Sequence, residues 1–218
     1  MGNILTSSIG KKLIMSISGL FLILFLLIHL LANSAYLLGA EAFDAVIEFM
    51  GSPLVVIMVP VLAAGFIVHI AYAVYLTLYN RKARGSERYA VDNQAQTDSW
   101  ASKNMFVLGI IILGVLVFHL SHFWAKMQLP EFTGGHAQNG NDLMVQTFGN
   151  VWILVCYLIW FVALWFHLTH GFWSAFQTIG ANNTKWLSRL KVVSYIYSTF
   201  IALGFSVIAI YAYITSLG

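Results

Sequence analysis

The sequence predicts an all-α integral membrane protein, a bundle of five transmembrane helices that forms one domain over residues 1–218. Hydrophobic residues make up 60% of the chain and charged residues only 9%, whereas about a quarter of a soluble domain is charged. Apolar runs of the ~20 residues needed to cross a ~30 Å hydrocarbon core occupy 13–38, 53–80, 105–125, 148–178 and 192–217. None shows the period-two alternation of a strand. Backbone groups in lipid must also find partners within their own segment, so each run is read as a helix.

The connections between these runs carry the charge, and its asymmetry predicts orientation. Of the eleven Lys and Arg, ten lie before the first helix (Lys11, Lys12), between the second and third (Arg81, Lys82, Arg84, Arg88, Lys103) or between the fourth and fifth (Lys185, Arg189, Lys191). The opposite side has Lys126 with Glu41, Asp44, Glu48, Glu131 and Asp142. The excess of cations places the N-terminus in the cytoplasm and the C-terminus outside, in a multi-pass membrane protein. The pI near 9.0 then reflects a basic cytoplasmic face suited to lipid headgroups or a docked partner, and is no sign of nucleic-acid binding.

The first apolar run follows Lys11 and Lys12 and ends near Ala32-Asn33-Ser34-Ala35, which faintly resembles a secretory cleavage site. It is too long for a signal peptide and is read as a retained helix. The one cysteine, Cys156, stands inside the fourth helix. An iron–sulfur cluster needs about four thiolates, and glycine-rich dinucleotide motifs are absent too, so a flavin or cluster would belong to another polypeptide.

Six of the seven histidines, His29, His69, His119, His122, His167 and His170, fall inside the apolar runs, while His136 lies in a polar loop beside Thr133-Gly134-Gly135. An intramembrane ionisable residue points to function. A single such His is more often a packing group bonded across helices. Here, however, the first four helices each carry one or two and the fifth carries none. Two neutral imidazoles saturate haem iron axially and suit it to electron transfer, so four helices with one ligand each provide for two haems.

Depth suggests the pairing. His29 is 17 residues past Lys12 and His119 is 16 past Lys103, which at ~1.5 Å per residue puts both roughly 24–26 Å from the basic face. His69 is 12 residues before Arg81 and His167 is 13 before Gly180, about 18 and 20 Å deep. The pairs therefore lie at two levels. On the third and fourth helices the histidines come three apart on one face, and spacing alone does not choose between them. Internal similarity favours one of each. His69-Ile-Ala-Tyr-Ala73-Val-Tyr75 parallels His167-Leu-Thr-His-Gly171-Phe-Trp173, with a small residue one turn on where a macrocycle can lie close. Likewise Leu27-Ile-His29-Leu30 parallels Val117-Phe-His119-Leu120.

Several further segments, in order, carry a resemblance over nearly the whole chain: Lys12 to Gly19 with Ser16 and Ser18, His29-Leu-Leu-Ala-Asn33, Gly39-Ala-Glu-Ala-Phe43, His69 with Tyr72 and Tyr75, His119-Leu-Ser-His-Phe-Trp124, and Phe166-His-Leu-Thr-His-Gly-Phe-Trp173. The sequence resembles the single-chain, five-helix, di-haem cytochrome b558 subunit of succinate dehydrogenase and fumarate reductase. The stretches Asn80 to Tyr89 and Phe172 to Gln177 are most similar to the form found in Bacteroidetes. The resemblance implies two haem b groups, the distal one on His29 and His119 and the proximal one on His69 and His167. It implies partners on the cytoplasmic face, an FAD flavoprotein and an iron–sulfur subunit, with menaquinone reacting near the distal haem. His122, His170 and Ser16 are then candidates for contacts to a ligand, a propionate or the quinone.

Two departures stand out. Relatives that oxidise menaquinol place a carboxylate at the outer start of the second helix, where this chain has Gly51, so Glu48 is the substitute candidate for proton exchange. Some relatives have a Glu two residues before the fourth-helix ligand, where this chain has Trp165, which puts that proton route in doubt.

Two other readings fit less well. A cytochrome b of the quinol:cytochrome c reductase type needs two ligands widely spaced on each of two helices, and no helix here has that pattern. A haem-free proton-relay transporter calls for broken helices and buried acids, and no Asp or Glu lies well inside a span.

Overall fold

The computed structural model describes residues 7–84, 99–181 and 183–218, with backbone only at 83 and 84. Arg88 and the side chain of Arg84, both assigned above to the basic face, lie outside the described residues. Five helical spans are long and apolar enough to cross a membrane: Ser8–Leu38, Pro53–Lys82, Trp100–Met127, Val151–Thr178 and Thr184–Thr215. The chain is thus an all-α, multi-pass membrane protein.

We label the elements α1 (Ser8–Ser34), α2 (Ala40–Met50), α3 (Pro53–Arg84), α4 (Trp100–His119), α5 (Leu129–Thr133), α6 (Gly140–Phe148), α7 (Val151–Thr178) and α8 (Thr184–Thr215). Three spans begin several residues before their apolar runs, because polar caps set the starts. Ser7 accepts from the Gly10 amide, Ser99 from Ser102 and Asn183 from Trp186, at 3.0, 3.2 and 2.9 Å. Each satisfies an amide that the first helical turn leaves open. At the far end of α7, Gly180 takes φ 109° and the Ala181 amide reaches back to the Phe176 carbonyl at 3.0 Å, closing the helix as a glycine C-cap does. After His119 the third span continues as a π-helical turn, Leu120–Trp124, before Ala125–Met127. Such turns are rare and concentrate at functional sites.

α1, α3, α4 and α7 surround a common interior, and α8 packs against α7 and α1 from one side. The seam of α8 is built from small residues, as helix contacts in lipid require. Ser194, Ser198, Ala209 and Ala212 are all but fully buried. Ser194 donates to the carbonyls of Thr169 and Lys191. A Cβ on Gly204 would come 2.7 Å from the Leu30 side chain, so any larger residue here makes Leu30 shift where α1 and α8 cross. Tyr197 ties the same two helices by donating to the Ile23 carbonyl.

The core of Leu30, Tyr36, Phe43, Met144, Phe148, Tyr157, Phe161 and Ile201 is concentrated toward the end of the bundle that carries α2 and α6. These connections are amphipathic helices rather than the short loops expected from sequence. Gly39 turns the chain into α2 at φ 111°, and Asn141 of α6 donates to Asp44 of α2 at 2.7 Å. Phe43, Leu143, Met144 and Phe148 turn inward and close that end with apolar surface.

Candidate haem-binding site

Inside the bundle the imidazoles meet in two pairs. The rings of His29 on α1 and His119 at the end of α4 stand 5.9 Å apart, centroid to centroid, with planes 87° apart. Those of His69 on α3 and His167 on α7 stand 6.4 Å apart at 72°. With metal–nitrogen bonds of about 2.0 Å and a ring centroid about 1.1 Å beyond the nitrogen, two imidazoles on opposite faces of one metal have centroids about 6.3 Å apart. Both pairs have that span. Among the described residues no group of three or more His, Cys, Asp or Glu is placed to hold a metal ion. Two side-chain nitrogens per site therefore suit a metal that brings its other ligands with it, as iron does in a porphyrin.

The pairs occupy different levels. On α1, Gly19 adjoins His69, since a Cβ there would lie 3.4 Å from its Cε1. His29 follows ten residues later, or about 15 Å along the axis. On α7, the Tyr157 hydroxyl adjoins His119 and His167 again follows ten residues later, another ~15 Å. This separation is larger than counting from flanking charges gave. The helices start at different heights, so their outermost charges are not level: Gly19, seven residues past Lys12, already abuts His69.

Three of the four imidazoles have a polar atom against Nδ1. Tyr157 Oη lies 3.5 Å from His119 Nδ1. Ser18 Oγ lies 3.5 Å from His69 Nδ1 while donating to the Met15 carbonyl, so its lone pairs can accept from the ring. Asn33, one turn past His29, donates to its carbonyl at 2.8 Å and stands 3.4 Å from Nδ1. A neighbour that accepts from Nδ1, as the Tyr157 and Ser18 hydroxyls can, orients a ring and leaves Nε2 for a metal; the Asn33 amide nitrogen is a donor and does not play that part for His29. His167 Nδ1 is buried with no hydrogen-bond partner. Around the His29–His119 pair, Phe25 stacks on His29 at 5.2 Å, and Phe123 and Trp160 flank His119 at 5.2 and 5.9 Å. These rings exclude water on several sides.

The remaining sequence candidates are scattered. His122, on the π turn, packs edge-on to Phe118 at 4.1 Å and shares the Tyr157 hydroxyl, 3.5 Å from its Nδ1. His170 meets Trp173 edge-on at 5.0 Å. Ser16 is buried on α1, a turn before Gly19. Glu48 is exposed at the end of α2, and His136 is exposed on its loop. The basic end holds its cations on aromatic rings. Lys11 bonds the Tyr75 hydroxyl at 2.8 Å, Arg81 lies 4.9 Å from the Phe106 ring, and Lys191 lies 4.8 Å from Trp173.

Sequence reasoning did not single out Gly19 or Tyr157. Asn33 and Ser18 appeared only within motifs, although the four-residue step from His29 to Asn33 is the spacing of helix neighbours. Tyr157 carries no local signal, being one aromatic among many in α7.

No family model matches the chain, and no solved structure matches it. Over 175 residues, 77% of this chain and 78% of the relative, the sequence is 26% identical to the succinate dehydrogenase cytochrome b558 subunit of Bacillus subtilis (strain 168).

Proposed function

We propose that this chain is the cytochrome b membrane anchor of a succinate:quinone oxidoreductase, carrying electrons between menaquinone in the bilayer and an iron–sulfur subunit through two b haems. One haem would be held by His29 and His119, the other by His69 and His167. The observation that carries the reading is the span of the two imidazole pairs, 5.9 and 6.4 Å. The similarity to a succinate dehydrogenase cytochrome subunit supports it.

Iron in a porphyrin supplies reversible one-electron transfer at two depths. The protein contributes the rest. His29 with His119, and His69 with His167, would hold the iron and leave it no free position for oxygen. Packing on α7 and α1 keeps the two levels at a fixed separation, and the surrounding aromatic residues limit access of water. At the basic end, Lys11, Arg81 and Lys191 are anchored on rings while Lys12, Lys82 and Lys185 are exposed. This pattern suits a cytoplasmic face that receives the iron–sulfur and flavoprotein subunits.

Quinone chemistry moves two protons with two electrons and needs a titratable group or a water path. Glu41, Asp44 and Glu48 sit on α2, at the end nearer the His29–His119 pair. Asp44 is engaged by Asn141, which leaves Glu48, nearest α3, as the candidate for proton exchange.

The test uses the complex purified through a tag on this chain. Adding succinate should reduce its haems, seen as a rise in the ferrous α band, and Glu48→Gln should slow quinone turnover by about two orders of magnitude while both haem spectra persist. Haem bands that do not respond to succinate, in a preparation whose flavoprotein is active with an artificial acceptor, would overturn the electron path. Unchanged quinone turnover in the variant would remove Glu48 from it.

A further inference from the structure

A single buried hydroxyl stands between His119, at the end of α4, and His122, on the π turn that follows it. Tyr157 is 1% exposed, and its oxygen is 3.5 Å from both His119 Nδ1 and His122 Nδ1. A phenol has one proton to donate and lone pairs to accept with, and a buried one ordinarily uses its proton. We propose that Tyr157 is a positioning residue for the outer haem, accepting from His119 Nδ1 and donating to His122 Nδ1. The inference rests on the reading of His119 as an iron ligand.

The direction of both bonds follows from that ligation. An imidazole bound through Nε2 keeps its proton on Nδ1, so His119 must donate and Tyr157 must accept there. The phenol proton is then left for His122, whose neutral ring accepts at Nδ1 and carries its own proton on Nε2. One hydroxyl thus fixes the tautomer of both rings, with no proton gained or lost. The π turn at Leu120–Trp124 carries His122 while both rings still face Tyr157. A ligand that donates through Nδ1 is a better electron donor to iron and favours the oxidised state. At the other site Ser18 adjoins His69 Nδ1 and His167 Nδ1 has no partner; Tyr157 touches neither ring, so its removal acts on the His29–His119 site.

The experiment is a redox titration of the purified complex, read with the low-spin ferric resonance signals of each haem. Tyr157→Phe should keep both haems and raise the potential of the one that depends on His29 and His119. The expected size is a roughly two- to tenfold larger ferrous-to-ferric ratio at fixed potential, the worth of one hydrogen bond. The other haem should not move. His122→Leu, which removes only the acceptor of the phenol proton, should raise the same potential by less, and it serves as the deciding variant should Tyr157→Phe lose its haem. Unchanged potentials in a variant that retains both haems would overturn the positioning role and leave the haem assignment standing. A wild-type complex with no haem would overturn both.

Discussion

Replacing His29 or His119 with alanine is expected to lower the haem content from two per chain to one, and replacing His69 or His167 should remove the other haem. Each pair spans the distance that two imidazoles on one metal require. After one is removed, no third His, Cys, Asp or Glu among the described residues completes the site. The two losses should be spectroscopically distinct, because the pairs lie in unlike surroundings: aromatic rings about His29 and His119, and Ser18 with Gly19 beside His69. His122→Ala and His170→Ala should keep both haems. If either loses one while His119→Ala or His167→Ala keeps both, the choice within the three-residue pairs is wrong.

Gly19→Leu should remove the inner haem alone. A Cβ at this position already stands 3.4 Å from His69 Cε1 and 3.6 Å from its Nδ1. That is van der Waals contact for the Cβ alone, so the further atoms of a leucine side chain press on the ring. The helix itself should not suffer, since replacing glycine in a helix interior removes a penalty of about 1 kcal/mol. Haem stoichiometry with the resonance signals of the surviving site is the measurement. Retention of both haems with unchanged signals would show that Gly19 does not set the place of His69.

The five spans were legible because their apolar runs are long and uninterrupted. Their ends were less so. α8 begins at Thr184 and not near residue 192, because Asn183 caps the start and its first turns lay Arg189 on Trp186 and Lys191 on Trp173. α2 and α6 went unread because short polar connections do not announce helices, although Phe43 and Leu143 seal the bundle from them. Depth counting grouped His29 with His119 and His69 with His167, and those are the rings that meet; that they carry iron is the proposal. The separation of the levels was underestimated, since a count from flanking charges assumes that all helices start at one height. Tyr157 was illegible for another reason. Its significance lies in facing His119 and His122 of the third span at once, a property of packing that no spacing within α7 encodes.

The most direct measurement is the haem content of the purified wild-type chain, by pyridine haemochrome assay against protein concentration, with the ferric spectrum recorded on the same sample. Two imidazole pairs predict two b haems per chain, both six-coordinate and low-spin. One haem or none per chain, or a high-spin ferric spectrum, would contradict the account.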